Sequence, residues 1–353
     1  MVSIEYEKTK QQLTFTKKQV DKAGRCIRKG EGDQEHAIEV IQNFRAAHLY
    51  PLQIIKNLIW KHVRKLDLLE SATVVRRLKR LPTIIDKLQR STLDGKTENA
   101  ISLKRMHDIG GCRVILDSMD DLRRLNTSLD ASRTVHGVKV YDYISSPKQS
   151  GYRGIHRVYK SYERVEAHEW KGFLIEVQLR TKLQHLWATT VEIVDIVERE
   201  TLKTNPQAAS EDWKRLFVIM GEFLAEKDGA RNLEPEEKER LKQELTTLNT
   251  KLSAYYKIDS FNSAFQVDHI RSKTKTGYTL LIFKNDEQTG RASMYSDNHK
   301  NEALAEYAKL EAQDDVNVLF VAGSDLKSIE KAYPNYISDT SEFLAEFSRV
   351  LLK

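Results

Sequence analysis

Cysteine is nearly absent: the chain has two, Cys26 and Cys112, among 353 residues. Two thiols cannot build a disulfide scaffold or a four-cysteine zinc site. No apolar run approaches membrane-spanning length, and the opening Met-Val-Ser-Ile-Glu-Tyr-Glu has no apolar signal core. The expectation is a cytoplasmic protein with no membrane partner. Internal repeats and low-complexity tracts are missing, and no Ser or Cys is set among residues that would activate it as a nucleophile. Excess charge is slight, with 57 Lys and Arg against 51 Asp and Glu, net +6. That balance tolerates a polyanionic partner without requiring one. The length allows two domains.

What is present concentrates in a few segments. Residues 141–156 read Tyr-Asp-Tyr-Ile-Ser-Ser-Pro-Lys-Gln-Ser-Gly-Tyr-Arg-Gly-Ile-His. Pro147 fixes φ and Gly151 permits a turn that other residues resist. The loop so punctuated carries Lys148, an exposed-looking ring at Tyr152, and His156. A flat aromatic beside cations suits a base that stacks and phosphates that need neutralising. Alone, the segment reads first as a hairpin loop of solvated polar residues. A strand follows through Ile155 and Arg157-Val-Tyr159.

Phe173-Leu-Ile-Glu-Val-Gln-Leu-Arg-Thr181 reads as a second strand. Alternation puts Glu176, Gln178 and Arg180 on one face and Ile175, Val177 and Leu179 on the other. Three polar groups in line need partners or a role, unless the face is simply solvated. Thr181 and Gln184 fit a capping box opening a helix through Leu183, Trp187, Val191 and Val194. His185 on that helix is read as structural. Asp108 precedes Gly110 and Gly111, and a strand then begins around Arg113. Asp108 with Glu176 would supply two hard oxygen donors of the kind Mg²⁺ prefers, although acids at strand ends are also commonly just solvated. In Arg76-Arg-Leu-Lys-Arg80, followed by a helix opened by Pro82, Lys87 and Arg90 sit one turn apart. Arg77, Lys79, Lys87 and Arg90 could grip a polyphosphate or form a solvated face.

In the N-terminal segment Lys18, Lys22, Arg25 and Lys29 make one helical stripe, although Gly24 argues against a rigid helix. Arg123 and Arg124 add a second cationic pair. The stripe fits a nucleic-acid backbone or a solvated surface about equally. Asp33 can cap one helix, Pro51 can start another, and residues 208–228 carry an apolar stripe. Residues 232–256, charged and helix-forming, read as a connector. Strands are expected at Phe261–Ile270, Tyr278–Lys284, Arg291–Tyr295 and Val316–Val321. Helices are expected at Asn301–Ala312, Leu326–Ala332 and Ser341–Leu352. Tyr333-Pro-Asn-Tyr336 stands out as two rings flanking a turn.

The four N-terminal segments, in this order, resemble the synthetase domain of the RelA/SpoT family. The resemblance rests on Arg77-x-Lys79 followed by Lys87, on Asp108-Ile-x-Gly111-x-Arg113, on Asp142 through Pro147-Lys148, Gly151-Tyr152 and His156, and on Glu176-Val-Gln178-Leu-Arg180-Thr181. It implies an α+β fold, a mixed β-sheet flanked by helices of the nucleotidyltransferase-like type, with a smaller C-terminal α/β domain. It implies transfer of pyrophosphate from ATP to a ribose 3′-hydroxyl with Mg²⁺ as cofactor. ATP would meet Arg77, Lys79, Lys87, Arg90 and Arg113. Asp108 and Glu176 would hold the metal, with Glu176 as base. Tyr152 would stack the acceptor's base, with Lys148, His156, Gln178 and Arg180 beside it.

The whole chain resembles CapRel-type fused toxin–antitoxin proteins, with a catalytic domain at 1–228, a helical connector at 229–260 and a regulatory domain at 261–353. That likeness implies the tRNA CCA end as acceptor, and the cationic positions Lys18, Lys22, Arg25, Lys29, Arg123 and Arg124 read from spacing are the expected tRNA contacts. It also implies autoinhibition through Tyr333 and Tyr336, and release by a phage structural, capsid-type protein in a bacterial or prophage-encoded defence system. The alternative acceptor is GDP or GTP, which makes the chain a guanosine polyphosphate synthetase with a regulatory tail.

Overall fold

A computed structural model describes residues 9–90, 101–197, 210–258, 267–269, 277–284, 289–311, 313, 316–322 and 341–352. The architecture is α+β: two sheets accompanied by helices, divided between two compact units.

The first unit draws on the described residues within Met1–Val114, Asp120–Tyr141 and Ile155–Leu179. Its helices are α1 (Lys17–Lys29), α2 (Gln34–Ala47), α3 (Leu49–Lys65), α4 (Leu81–Gln89) and α5 (Met119–Asp130). Its sheet runs in the order β1-β2-β5-β4-β3, from β1 (Ala72–Leu78), β2 (Gly110–Leu116), β3 (Gly137–Asp142), β4 (Ile155–Lys160) and β5 (Leu174–Thr181). Local chemistry sets the helix starts. Thr16 and Gln19 form a capping box on α1, worth about 1 kcal/mol. Asp33 accepts from the His36 N–H to start α2, and Pro82 lies in the first turn of α4.

Gly24 does not interrupt α1, contrary to the sequence expectation. It is buried, and a Cβ there would stand 3.1 Å from the Leu103 Cβ. The glycine is the price of a close approach, which outweighs its poor helix propensity. Val20, Ala23 and Ile27 bury the same face against Ile84, Leu88 and Trp170.

β4 and β5 pair antiparallel, with His156 opposite Gln178 and Val158 opposite Glu176. Ile175, Val177 and Leu179 are fully buried, while Glu176 and Gln178 are half-buried on the other face. Arg180 breaks the pattern by being buried as well.

The second unit draws on the described residues within Ile115–Met119, Asp142–Gly154 and Arg180–Lys353. Helices α6 (Lys182–Val197), α7 (Glu211–Lys227), α8 (Pro235–Leu252) and α10 (Ser341–Leu352) share one core. Thr181 and Gln184 make the capping box of α6 reciprocally, both bonds at 3.2 Å. The charged α8 also carries a buried seam of Leu241, Leu245 and Leu248, so it contributes to the bundle as well as connecting.

α10 returns to that bundle. Phe343 and Phe347 have no exposed surface, and the Phe343 ring lies 6.1 Å from that of Phe217. Each such ring contributes about 2–3 kcal/mol of apolar burial.

Between α8 and α10 the chain makes a second sheet in the order β6-β8-β7-β9, from β6 (Val267–His269), β7 (Gly277–Lys284), β8 (Thr289–Ser296) and β9 (Val316–Ala322). Helix α9 (Lys300–Glu311) accompanies it, and Leu280, Ile282, Tyr307 and Val318 form its own small core. The expected helix at Leu326–Ala332 and the pair Tyr333 and Tyr336 lie outside the described residues.

Candidate active site

Two constellations carry the polar residues singled out in the sequence. The first centres on Asp108, just before β2. Its two oxygens are each held by an ammonium group, Oδ2 by Lys79 at 2.9 Å and Oδ1 by Lys87 at 2.8 Å. Lys79 sits just past β1, where its N–H bonds the Ile109 carbonyl at 2.8 Å and its own carbonyl accepts from Arg45 at 2.7 Å. α4 brings in Lys87. Burial pushes the Asp108 carboxyl up, but the charges of Lys79 and Lys87 outweigh it and hold the group well below the usual carboxylate range. Burial likewise lowers the Lys79 ammonium, a fall only partly offset by Asp108.

On β5, Glu176 accepts from His156 Nδ1 at 2.9 Å and from Gln178 Nε2 at 2.8 Å. Burial raises this carboxyl too, and the His156 and Gln178 bonds bring it below its ordinary value. The charge on Asp108 opposes that ionisation, so the two acids lie within electrostatic reach of one another. Gly111 lies on β2, between β1 and β5: a Cβ there would stand 3.8 Å from the Arg77 carbonyl and 3.9 Å from that of Glu176. Arg77 and Arg113 are half-buried on β1 and β2, and Arg90 is exposed at the C-terminal cap of α4.

Asp108 and Glu176 each offer the hard carboxylate oxygens that a divalent cation prefers. Among the described residues no group of three or more His, Cys, Asp or Glu is placed to hold a metal. Such an ion would therefore rest on two acids and on the phosphates it neutralises. Each Asp108 oxygen accepts from one ammonium group and keeps a further lone pair that could face an ion.

The second constellation is the 142–154 loop with Arg180. Tyr152 is buried, not exposed as the sequence implied, with 8% of its surface accessible. The cause is tertiary. Its hydroxyl accepts from Arg180 Nε at 3.1 Å, its ring lies 6.2 Å from Trp187, and Tyr143 stands 6.0 Å away. Lys148, exposed, places its ammonium 4.4 Å from the Tyr143 ring centre and 5.1 Å from that of Tyr152. Tyr143 and the buried Arg153 were missed in the sequence. An arginine between Tyr152 and Gly154 in a loop already marked by glycines was the available signal.

Lys18, Lys22, Arg25 and Lys29 are all exposed on one side of α1. Arg123 and Arg124 are exposed on α5, where Arg124 bonds Asp121 at 3.0 Å and the Leu66 carbonyl at 3.2 Å. His185 is buried on α6. Cys112 is buried, which pushes its thiol up to about 12 and removes it from nucleophilic chemistry. Among the described residues no helix is long and apolar enough to cross a membrane.

Part of the chain is similar to known proteins. The region found in RelA / SpoT proteins matches residues 76–193, which contain Asp108, Tyr152 and Glu176. GTP pyrophosphokinase YjbM of Bacillus subtilis (strain 168) is 30% identical over 157 residues, 43% of this chain and 72% of that protein. GTP pyrophosphokinase YwaC of the same organism is 31% identical over 113 residues, 32% of this chain and 52% of that protein. The crystal structure of small alarmone synthetase 1 from Bacillus subtilis bound to its product pppGpp aligns at 25% identity, with a TM-score of 0.37, over 49% of this chain and 84% of that one. With its acidic and cationic residues in the matched region, and with a relative covered over 72% of its length, the chain belongs to the RelA/SpoT family of pyrophosphotransferases.

Proposed function

We propose that the protein transfers the β,γ-pyrophosphate of ATP to the 3′-hydroxyl of a guanosine nucleotide, acting as a GTP or GDP diphosphokinase. The observation that carries this reading is Asp108 held between Lys79 and Lys87, in a chain whose relatives are GTP pyrophosphokinases. Pyrophosphate transfer needs positioning and charge neutralisation rather than a covalent intermediate. Lys79 and Lys87 bind the donor's phosphates when they leave Asp108, with Arg77, Arg90 and Arg113 as further cationic contacts. Mg²⁺ on Asp108 and Glu176 would add neutralisation of the transferring phosphates. Glu176, kept ionised by His156 and Gln178, orients the acceptor hydroxyl and takes its proton. The acceptor's base takes the Lys148 side of the Tyr152 ring, since the exposed lysine can yield its place and the buried Arg180 cannot. Lys148, His156, Gln178 and Arg180 then meet acceptor phosphates or the transferring group.

A second reading takes the tRNA CCA end as acceptor, and the exposed stripe of Lys18, Lys22, Arg25 and Lys29 favours it. In that reading residues 1–228 form a toxin domain, 229–260 the connector and 261–353 a regulatory domain. Tyr333 and Tyr336 occlude ATP until a phage capsid-type protein binds.

One assay separates the readings: γ-labelled ATP with GDP, GTP and deacylated tRNA, singly and in competition. Label is expected in the guanosine nucleotides, and its absence from both overturns the first reading. Reversing charge at Lys18, Lys22 and Arg25 should leave GDP use unchanged and cut tRNA use by about tenfold or more if tRNA is the acceptor.

A further inference from the structure

We propose that Arg153 and Gly221 are positioning residues for acceptor recognition, so that α7, which lies beyond the family-matched segment, sets where the Tyr152 ring stands. The proposal rests on the reading of Tyr152 as the acceptor's stacking partner.

The loop is closed by bonds of its own: Asp142 Oδ1 accepts from the Ile144 and Ser145 N–H groups at 2.8 and 3.0 Å, and the Asp142 carbonyl accepts from the Ser146 N–H at 3.3 Å. Gly151 N–H donates to the Lys148 carbonyl at 2.8 Å, Lys148 N–H to that of Tyr152 at 3.2 Å, and Tyr143 N–H to that of Gly154 at 3.0 Å. These close the loop on itself, and α7 gives it a fixed support. Arg153, 6% exposed, donates to the Gly221 carbonyl at 3.0 Å and to Glu222 Oε1 at 3.0 Å. The other Glu222 oxygen lies 2.7 Å from Arg231, which in turn reaches Glu237 of α8 at 2.6 Å. Trp187, packed against Tyr152, donates to the Phe217 carbonyl at 2.8 Å. Two helical carbonyls of α7, Phe217 and Gly221, therefore take an extra donor each from residues in or against the loop.

The backbones touch as well. A Cβ on Gly221 would stand 3.1 Å from the Gly151 carbonyl oxygen, 3.3 Å from the Trp187 indole nitrogen and 3.6 Å from the Arg153 guanidinium. From the loop side, Gly151 has φ +86, and a Cβ there would stand 3.0 Å from the Val218 Cα. The cavity beside this contact, lined by Gly151, Arg153, Trp187 and Gly221 among others, holds no more than a single water. A methyl group at 221 therefore has no slack to enter, and the residue it pushes is the one before Tyr152. A buried ion pair often adds little stability over apolar packing. What Arg153 contributes is a fixed direction, set by its planar fork.

The test uses the full chain, with ATP as donor and GDP as acceptor. Gly221→Ala adds one methyl in a helix interior, where alanine's better helix propensity partly offsets the tight contact with the Gly151 carbonyl, so the fold should be retained with only a small fall in thermal midpoint. The KM for GDP is expected to rise about tenfold while the KM for ATP stays within about twofold. Arg153→Lys keeps a charge opposite Glu222 but loses the fork, and should shift the same constant in the same direction by less. Wild-type KM for GDP in both variants overturns the proposal. So does a parallel loss of ATP use, GDP use and thermal midpoint, which marks a purely structural role. Tyr152→Ala is the control on the underlying reading. If it leaves the KM for GDP unchanged, the acceptor assignment has failed and this proposal falls with it. If it raises that constant and Gly221→Ala does not, only the positioning role fails.

Discussion

Glu176→Gln is expected to keep the fold and ATP binding, and to slow pyrophosphate transfer by about 10³-fold. Glutamine has the shape of glutamate. Its carbonyl oxygen can accept the His156 bond, and Gln178 can turn its own amide to meet the new one, since an amide presents donor and acceptor at either end. The lost quantity is charge. In the wild type two donors hold the carboxylate ionised at neutral pH, so it can orient a hydroxyl and receive its proton. An amide can do the first weakly and the second not at all. Single-turnover transfer from labelled ATP, with nucleotide affinity measured separately, checks the split. Rapid turnover by the glutamine enzyme would remove Glu176 from the chemistry.

Asp108→Asn should damage both stability and activity. The carboxylate separates two ammonium groups, each within 2.9 Å of it. Asparagine offers one carbonyl oxygen, and its amide faces a lysine donor to donor. The site is partly buried, between the regimes of surface and buried pairs, and a loss of about 2 kcal/mol is expected at neutral pH. The sign of the pH effect follows from linkage. The folded-state value of Asp108 is depressed below its ordinary 3.8. Its contribution is therefore present in full above that ordinary value and is lost as pH falls toward the folded one. The stability gap between wild type and variant should thus be largest near pH 7 and shrink in acid, as urea titrations at pH 7 and pH 3 would measure. A gap that widens in acid contradicts the ion-pair account. Transfer should fall by about 10³-fold, since the variant loses an oxygen donor and leaves Lys79 and Lys87 repelling each other.

Features set by nearby sequence were legible. The Thr181–Gln184 capping box, the Asp33 cap, Pro82 in a first turn and the alternation of Ile175, Val177 and Leu179 all depend on residues a few positions apart. So does the exposed stripe on α1, whose cations share a face by periodicity. Properties set by distant partners were not legible. Tyr152 reads as exposed because its neighbours are polar, yet Trp187 and Arg180 bury it. Gly24 reads as a helix breaker, and only Leu103 shows why a side chain is excluded. Charge reads α8 as a connector, while its three leucines face a core that it shares with α6, α7 and α10. The donors to Asp108 read as phosphate ligands; that they hold this acid is a matter of space, not spacing.

The place of α10 bears on the order in which the chain can be finished. Trp213 and Phe217 lie in a core that also contains Phe343 and Phe347, and the segment bearing β6–β9 is translated between them. A ribosome emits only about 5–20 residues per second. A nascent chain therefore spends seconds with its helical bundle open, and the scaffold under Arg153 is completed only after the small sheet has emerged. The ability to grip an acceptor would arrive late in synthesis, after the intervening sheet has been made.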